Sequence, residues 1–359
     1  MSEKSSIAEG QRPPSRLQRL RRAIWAPPPS SREEARLIFK IDCLVMTFTC
    51  LMYWSNYLNR TNFQNAYVSG MSEDVHFHGN QYSIVNTLFT IGYIVGMIPN
   101  ILLLQVISPH VWLPLMAAIW SALSMCLAAV SQPSHVMGIR FLQGVIESST
   151  FSGGHYIYGS WYTDEEIGKR SGIFASSAQL GSLFSGVIQG AIHKNLNGYR
   201  GLQSWKWLFL IDGFIGIPIA LYGFIFFPDV PRRARKWILT EAERQLAVQR
   251  LPKRQQSSTT IGWSLFRRVL TRWHWYAFSA LFAWSSMLES VGSNGLFQLW
   301  LQAEGYSIRR RNVSRLQTTA EAFHAQIAHL AMPFAFRSIS TGLWLFKQSQ
   351  SLLLSSVPL

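Results

Sequence analysis

The sequence predicts an all-α integral membrane protein. Three observations carry that prediction. Charged residues are only 14% of the 359 and hydrophobic residues are 48%, whereas ordinary soluble domains carry about 25% charge. Seven segments are long and apolar enough to cross a bilayer, which takes about 20 residues through roughly 30 Å of hydrocarbon. Lys and Arg concentrate in alternate connecting segments, the pattern that sets membrane orientation.

Residues 1–40 are polar and basic, with Pro27, Pro28 and Pro29 in a row, and read as a disordered cytoplasmic tail. No cleavable signal peptide is visible, so the first span is expected to act as an uncleaved anchor. The spans fall near 41–59, 83–107, 111–131, 135–161, 171–193, 207–227 and 277–301. The fourth holds Arg140 and Glu147, the sixth Asp212 and the seventh Glu289. The expected organisation is the tail 1–40, a six-span bundle 41–227, a cytoplasmic loop 228–275, a seventh span 276–302 and a divergent tail 303–359.

Orientation follows from the cations. The tail 1–40 holds nine Lys and Arg, and the loop 228–275 holds eleven. A short loop at 163–170 adds Lys169 and Arg170. On the opposite side, 60–82 and 194–206 hold only Arg60, Lys194, Arg200 and Lys206. The amino terminus is therefore expected in the cytoplasm. These loops also account for the net charge of +15 without nucleic acid, since no basic patch interleaved with aromatics suggests base stacking.

In the long loop, Thr240 and Glu243 fit a capping box opening a short polar helix that Pro252 stops near Leu251. Within the spans, Gly92 and Gly96, and Ser182, Gly186 and Gly190, recur every four residues. That spacing lets helix backbones approach closely in lipid. Pro99 and Pro218 are expected to kink their helices. Three cysteines, Cys43, Cys50 and Cys126, form no CxxC pair, and His76 and His78 read as a polar loop. No metal or cofactor is called for.

Buried charge points to chemistry, because an ionisable group at the bilayer centre costs about 2.5–3.5 kcal/mol on insertion scales. Arg140 and Glu147 are seven apart, which places them on one helix face two turns apart, with Gln143 and Gly144 between. That distance calls for partners on other helices or a substrate. A carrier that moves an organic anion with a proton needs a fixed cation and a titratable carboxylate. The planar fork of Arg140 can hold a carboxylate, and Glu147 can carry the proton. Asp42 beside Lys40 reads as an interfacial anchor, while Gln143, Arg60, Asp212 and Glu289 are further candidates for substrate or proton coupling. Asn56, Tyr57, Asn86, His155, Tyr156 and Tyr158 are candidates for its lining.

Several stretches together resemble the major facilitator superfamily, and within it the fungal anion:cation symporters of allantoate and pantothenate permease type. They are YLNRTNFQNAYVSGM at 57–71, GYIVGMIPNILLLQ at 92–105, RFLQGVIESSTFSGGHYIYGSWY at 140–162, EIGKRSGIF at 166–174 and WKWLFLIDGFIGIPIALYGFIFFPDVP at 205–231. The third contains the R-x-x-Q-G pattern as Arg140, Gln143 and Gly144. The loop run LTEAERQLAVQRLPKR is similar to that of the pantothenate permeases. The resemblance covers about residues 33–312. It implies two six-helix halves working by alternating access. It also implies a small organic anion, pantothenate first, entering with a proton across the plasma membrane, and ties Arg140 to proton coupling. One departure is Asn59-Arg60, where the family usually has Asp-Arg.

The resemblance fades near Asn312, after which no apolar run reaches span length and Arg309, Arg310, Arg311 and Arg315 cluster on the side that should be cation-poor. Residues from about 313 onward are therefore expected to be unrelated sequence, and the polypeptide as written is expected not to transport by itself. A non-transporting sensor related to the carriers is the alternative. A heptahelical receptor is opposed by the basic amino-terminal tail, and a membrane enzyme by the lack of a G-x-S-x-G or phosphate-loop motif.

Overall fold

A computed structural model describes residues 31–235, 237–251 and interrupted positions within 267–284 and 301–306. The expected tail 1–30, most of the seventh segment including Glu289, and the segment from 307 onward lie outside the described residues.

The chain opens on helix α1, Arg32–Ile41, capped by the Ser31 hydroxyl, which accepts from the Glu34 amide at 3.1 Å. A π-helical turn at Asp42–Met46 joins it to α2, Thr47–Ala66, and a second at Tyr67–Met71 follows. Helices α3 (Gln81–Val106), α4 (Pro109–Leu127), α5 (Pro133–Trp161), α6 (Asp164–Asn195) and α7 (Ser204–Phe226) complete the bundle. Pro109 and Pro133 open their helices at first-turn positions, where no backbone N–H is needed. His76 and His78 lie in the connection between α2 and α3. Helix α8, Glu241–Gln249, starts on the expected Thr240–Glu243 box. Among the described residues the helical run Arg32–Asp74, kinked at Ser69 and Gly70, and α3, α4 and α7 are long and apolar enough to cross a membrane.

Two boundaries differ from expectation. Helix α2 runs past residue 59 to Ala66, so Arg60 is an intrahelical residue and no loop cation. Its polar run continues as helix because neighbouring helices receive its side chains: Thr61 donates to Ser182 at 3.2 Å and Asn65 to Ser185 at 2.7 Å. Helix α6 begins at Asp164, so Lys169 and Arg170 stand on its first turns rather than in a loop. The Thr163 N–H donates to the Glu166 carboxylate at 3.1 Å, and Asp164, Glu165 and Glu166 occupy the positive end of the helix dipole.

Large apolar side chains cover the outside of the bundle, and an unusual number of polar and charged side chains are buried within it. Ile94 on α3, Phe214 on α7 and Val187 on α6 are at least half exposed, which suits lipid contact. Asn56, Asn59, Asn62, Arg140, Gln143, Glu147, Gln189 and Asp212 are all buried. Two apolar clusters are buried as well, one around Phe48, Tyr53, Trp161, Phe174 and Phe227, the other around Phe63, Met71, Trp205 and Phe209.

Helices pair as α3 with α5, α2 with α6 and α4 with α7, and α7 also leans on α2. The α3–α5 contact uses the expected small residues. A methyl group added at Gly92 or Gly96 would strike the carbonyl oxygens of Phe141 and Val145, and one at Gly144 the carbonyl of Phe89. The stripe expected on α6 holds in part: Ser182 meets Thr61 of α2 and Gly186 is buried. Gly190 faces open space, whereas Gly181 lies against the Trp54 carbonyl of α2.

Ion pairs tie one end of the bundle together. Asp42, expected as an interfacial anchor, receives Arg170 through two bonds of 2.7 and 2.8 Å and the Tyr162 hydroxyl at 2.7 Å. Helix α8 docks there: Lys40 meets Glu243 at 2.9 Å, and Arg250 bridges Glu34 at 3.3 Å and Glu166 at 2.5 Å. Burial pushes the Glu243 carboxyl up, but the Thr240 backbone amide and Lys40 outweigh it and hold it below the usual glutamate value. A depressed carboxyl stabilises the folded form above its unfolded value and loses that contribution as pH falls through the folded value. Helix α8 is therefore expected to stay docked at neutral pH and to loosen in acid, as pH falls through that lowered value. Hydrogen exchange of its amides, corrected for intrinsic rate, checks this, and Lys40→Gln should move the transition toward higher pH.

Candidate functional site

The polar interior is built from α2 and α5. Asn56, Asn59, Asn62 and Asn65 follow one another every three residues along α2, so successive amides occupy neighbouring positions on its surface. All four are buried, and Arg60 stands among them. On α5, Arg140, Gln143, Gly144 and Glu147 share the face predicted from their spacing, and all are buried.

Glu147 is the centre of the arrangement. One carboxylate oxygen accepts from Arg60 Nε at 3.1 Å and the other from the Asn59 amide at 3.1 Å. The Asn56 side chain approaches without reaching hydrogen-bonding distance. Glu147 is fully buried while the Arg60 side chain is 26% exposed, so the pair has one dry and one open end. Asn59 is thus a donor to Glu147, and Glu147 is the carboxylate that pairs with Arg60. An aspartate at 59 would set a second negative group against Glu147.

The two arginines are linked through aromatic rings. The Arg60 guanidinium lies 5.2 Å from the Tyr57 ring centre, 4.8 Å from Tyr93 and 5.2 Å from Phe89. Arg140 lies 4.4 Å from the same Phe89 and 4.7 Å from Phe63. Its Nη1 donates to Gln143 at 3.2 Å, and Gln143 donates in turn to Ser124 of α4 at 3.0 Å. The partner expected for Arg140 on another helix is therefore aromatic, and its hydrogen bond stays on its own helix. Cation–π contact of this kind is worth about 2 kcal/mol when desolvated.

Several buried polar atoms here have no protein partner: Arg140 Nε, the Asn56 amide, Asn62 Nδ2, Thr150 Oγ1, both polar atoms of Gln189 and both Asp212 oxygens. Asp212 lies near Asn62, Arg140 and Glu147 without bonding to them. Asn62 accepts from Ser185, which also holds Asn65. Unsatisfied groups in hydrocarbon cost several kcal/mol each, so their concentration marks an interior built to hold water or a polar ligand.

The structure brings together Arg60, Asn56, Tyr57, Arg140, Gln143, Glu147 and Asp212. His155 and Tyr156 lie more than two turns beyond Glu147 on α5. His155 contacts the Phe151 carbonyl at 3.0 Å and the Phe174 ring, within the aromatic cluster, and Tyr156 is exposed. Tyr158 is buried and bonded to Thr49 at 2.7 Å. Sequence reasoning missed Phe89, Tyr93, Phe63 and Gln189. The asparagine repeat on α2 was the available signal for that polar face. Nothing in the sequence marks which aromatics stack on the arginines.

Residues 49–349 match the family model for the Major Facilitator Superfamily. The chain belongs to the major facilitator superfamily. The match continues beyond Asn312, where the recognisable motifs end. The chain is 45% identical over 284 residues to the pantothenate transporter FEN2 of Saccharomyces cerevisiae, covering 77% of this chain and 55% of that one. It is 38% identical to the pantothenate transporter liz1 of Schizosaccharomyces pombe, covering 76% and 53%. A vitamin H transporter of Saccharomyces cerevisiae is 32% identical over 79% of this chain and 49% of its own length. The chain thus spans about half the length of these relatives. A bacterial homologue of the human lysosomal transporter Spinster, solved inward-facing and unoccupied, superposes with a TM-score of 0.61 at 15% identity, covering 79% of this chain and 61% of that one. It supports the fold.

Proposed function

We propose that this chain carries the anion-recognition half of a membrane carrier for small organic carboxylates of the pantothenate type. The carboxylate moves with a proton by alternating access against a second helical half, at the plasma membrane with the amino terminus cytoplasmic. One observation carries this reading: a dry carboxylate, Glu147, is paired with a partly open arginine, Arg60, inside a bundle whose other polar groups lack partners. An arriving carboxylate competes with Glu147 for Arg60. Glu147 is free to leave the pair when it takes up a proton, so anion binding and protonation favour each other. Arg140, held by Gln143 and Phe89, supplies a second fixed positive charge that keeps the interior selective for anions. Asp212, with both oxygens unpartnered, is a second candidate for the proton. The 45% identity to a pantothenate transporter supports the substrate class, and the basic segments 1–40 and 228–275 support the orientation.

The test is equilibrium binding of radiolabelled pantothenate to the purified 359-residue chain in lipid nanodiscs, at two pH values. The expected result is saturable binding that strengthens at the lower pH and is competed by other small carboxylates, while the uncharged alcohol analogue competes at least tenfold more weakly. Absence of saturable binding up to millimolar ligand, or equal competition by the alcohol, would refute the reading.

A further inference from the structure

The geometry points to an anionic phospholipid headgroup site in the groove between the end of α7 and α8. Helix α7 ends at Phe226, and the sequence then runs Arg232, Arg233, Arg235 and Lys236. Helix α8 folds back beside this run. Arg232, Glu241, Arg244, Gln245, Val248 and Gln249 line a groove of about 300 Å³. Arg235 is committed elsewhere, donating to the Phe224 carbonyl at 3.0 Å. Arg232 and Arg244 line the groove, Arg244 paired with Glu241 at 2.7 Å, and Arg233 is exposed next to Arg232 in the sequence. Glu241 is the one acid in the lining, so the groove with Arg233 beside it stays positive.

The second observation is apolar. Trp237 is 61% exposed and its ring lies 6.4 Å from Phe226, itself 40% exposed at the last turn of α7. An exposed tryptophan beside the end of a spanning helix marks the level of the headgroups, where its amphipathic ring is stable. The basic groove therefore sits at the height of the lipid phosphates, within reach of the membrane that surrounds α7. Clustered arginines at such a place attract anionic lipids with about 1 kcal/mol per charge, or about fivefold each. Guanidinium groups bind phosphate oxygens in bidentate fashion, and Gln245 and Gln249 add neutral donors. Zwitterionic phosphatidylcholine offers the same phosphate but no net charge, whereas phosphatidylserine adds a carboxylate that leaves the headgroup net negative. The inference stands apart from the transport reading, because it concerns the outer face of the bundle.

Native mass spectrometry of the full chain, released from nanodiscs of phosphatidylcholine with 20% phosphatidylserine, is the experiment. The wild-type chain is expected to retain phosphatidylserine at least tenfold over its share of the bilayer. The combined variant Arg232→Gln, Arg233→Gln, Arg244→Gln should lower that enrichment to near one, and Glu241→Gln should raise it about fivefold. An unchanged thermal melt of each variant excludes misfolding as the cause. Arg200→Gln, outside the groove, should leave retention unchanged. Equal retention of both lipids, or an unaltered triple variant, overturns the assignment and leaves the groove to a protein segment. Full displacement of the lipid by 10 mM inorganic phosphate overturns it in favour of a free-phosphate site.

Discussion

An Arg60→Met chain is expected to lose about 3 kcal/mol of stability and its saturable carboxylate binding together. The loss of stability comes from Glu147, which is fully buried and accepts from Arg60 at 3.1 Å. Removing one partner leaves a buried charge uncompensated, at a cost of about 3–5 kcal/mol. The Arg60 side chain is 26% exposed, which places the cost at the low end. The double variant Arg60→Met, Glu147→Leu should recover most of that stability, because an apolar pair has no charge to desolvate, yet it should remain unable to bind the anion. Denaturant unfolding in micelles and pantothenate binding, measured side by side, separate the two effects. If the single variant is as stable as the double, the pair is no unit. If either variant still binds, Arg60 does not hold the substrate.

Gly144→Val should be the most damaging neutral substitution in the bundle. The glycine sits where α5 meets α3, and an added Cβ would enter the carbonyl of Phe89. Backbone cannot yield as a flexible side chain does, so the helices must separate, and Phe89 leaves the two arginines it joins. We expect more than about 4 kcal/mol of destabilisation, in the range reserved for core overpacking and broken networks, or no folded protein in detergent. Gly138→Ala and Gly190→Ala, inside helices with open surroundings, should leave stability unchanged or raise it by up to about 1 kcal/mol. Size-exclusion profiles and thermal melts of the three purified variants decide this.

Much of the architecture was legible because lipid imposes a simple rule: long charge-free runs become helices, and their charges turn inward. That rule located six of the long helices, and the spacing of Arg140, Gln143 and Glu147 gave their common face. It failed at α2, where NRTNFQNA reads as a polar loop by composition. Its side chains find Glu147, Ser182 and Ser185 on other helices, and no local pattern announces a partner 80 residues or more away. The start of α6 was hidden for a different reason. Thr163 and Glu166 form a capping box of the same kind as Thr240 and Glu243, but the neighbouring Lys169 and Arg170 suggested a basic loop. At the site, the charged members were visible from their cost in a membrane. The aromatic rings were not, since Phe89 and Tyr93 look like any apolar span residue until α3 is set against α2 and α5.

The central claim is that the arginine-lined interior of α2 and α5 is wet and receives the carboxylate at Arg60. Tyr57, whose ring lies 5.2 Å from the Arg60 guanidinium, is the position to probe. In a chain with Cys43, Cys50 and Cys126 changed to serine, Tyr57→Cys should react with a small charged thiol reagent, and saturating pantothenate should slow that reaction at least tenfold. Val95→Cys, on the lipid-facing surface of α3, should not react. No labelling at position 57, or labelling that pantothenate leaves unchanged, would contradict the account.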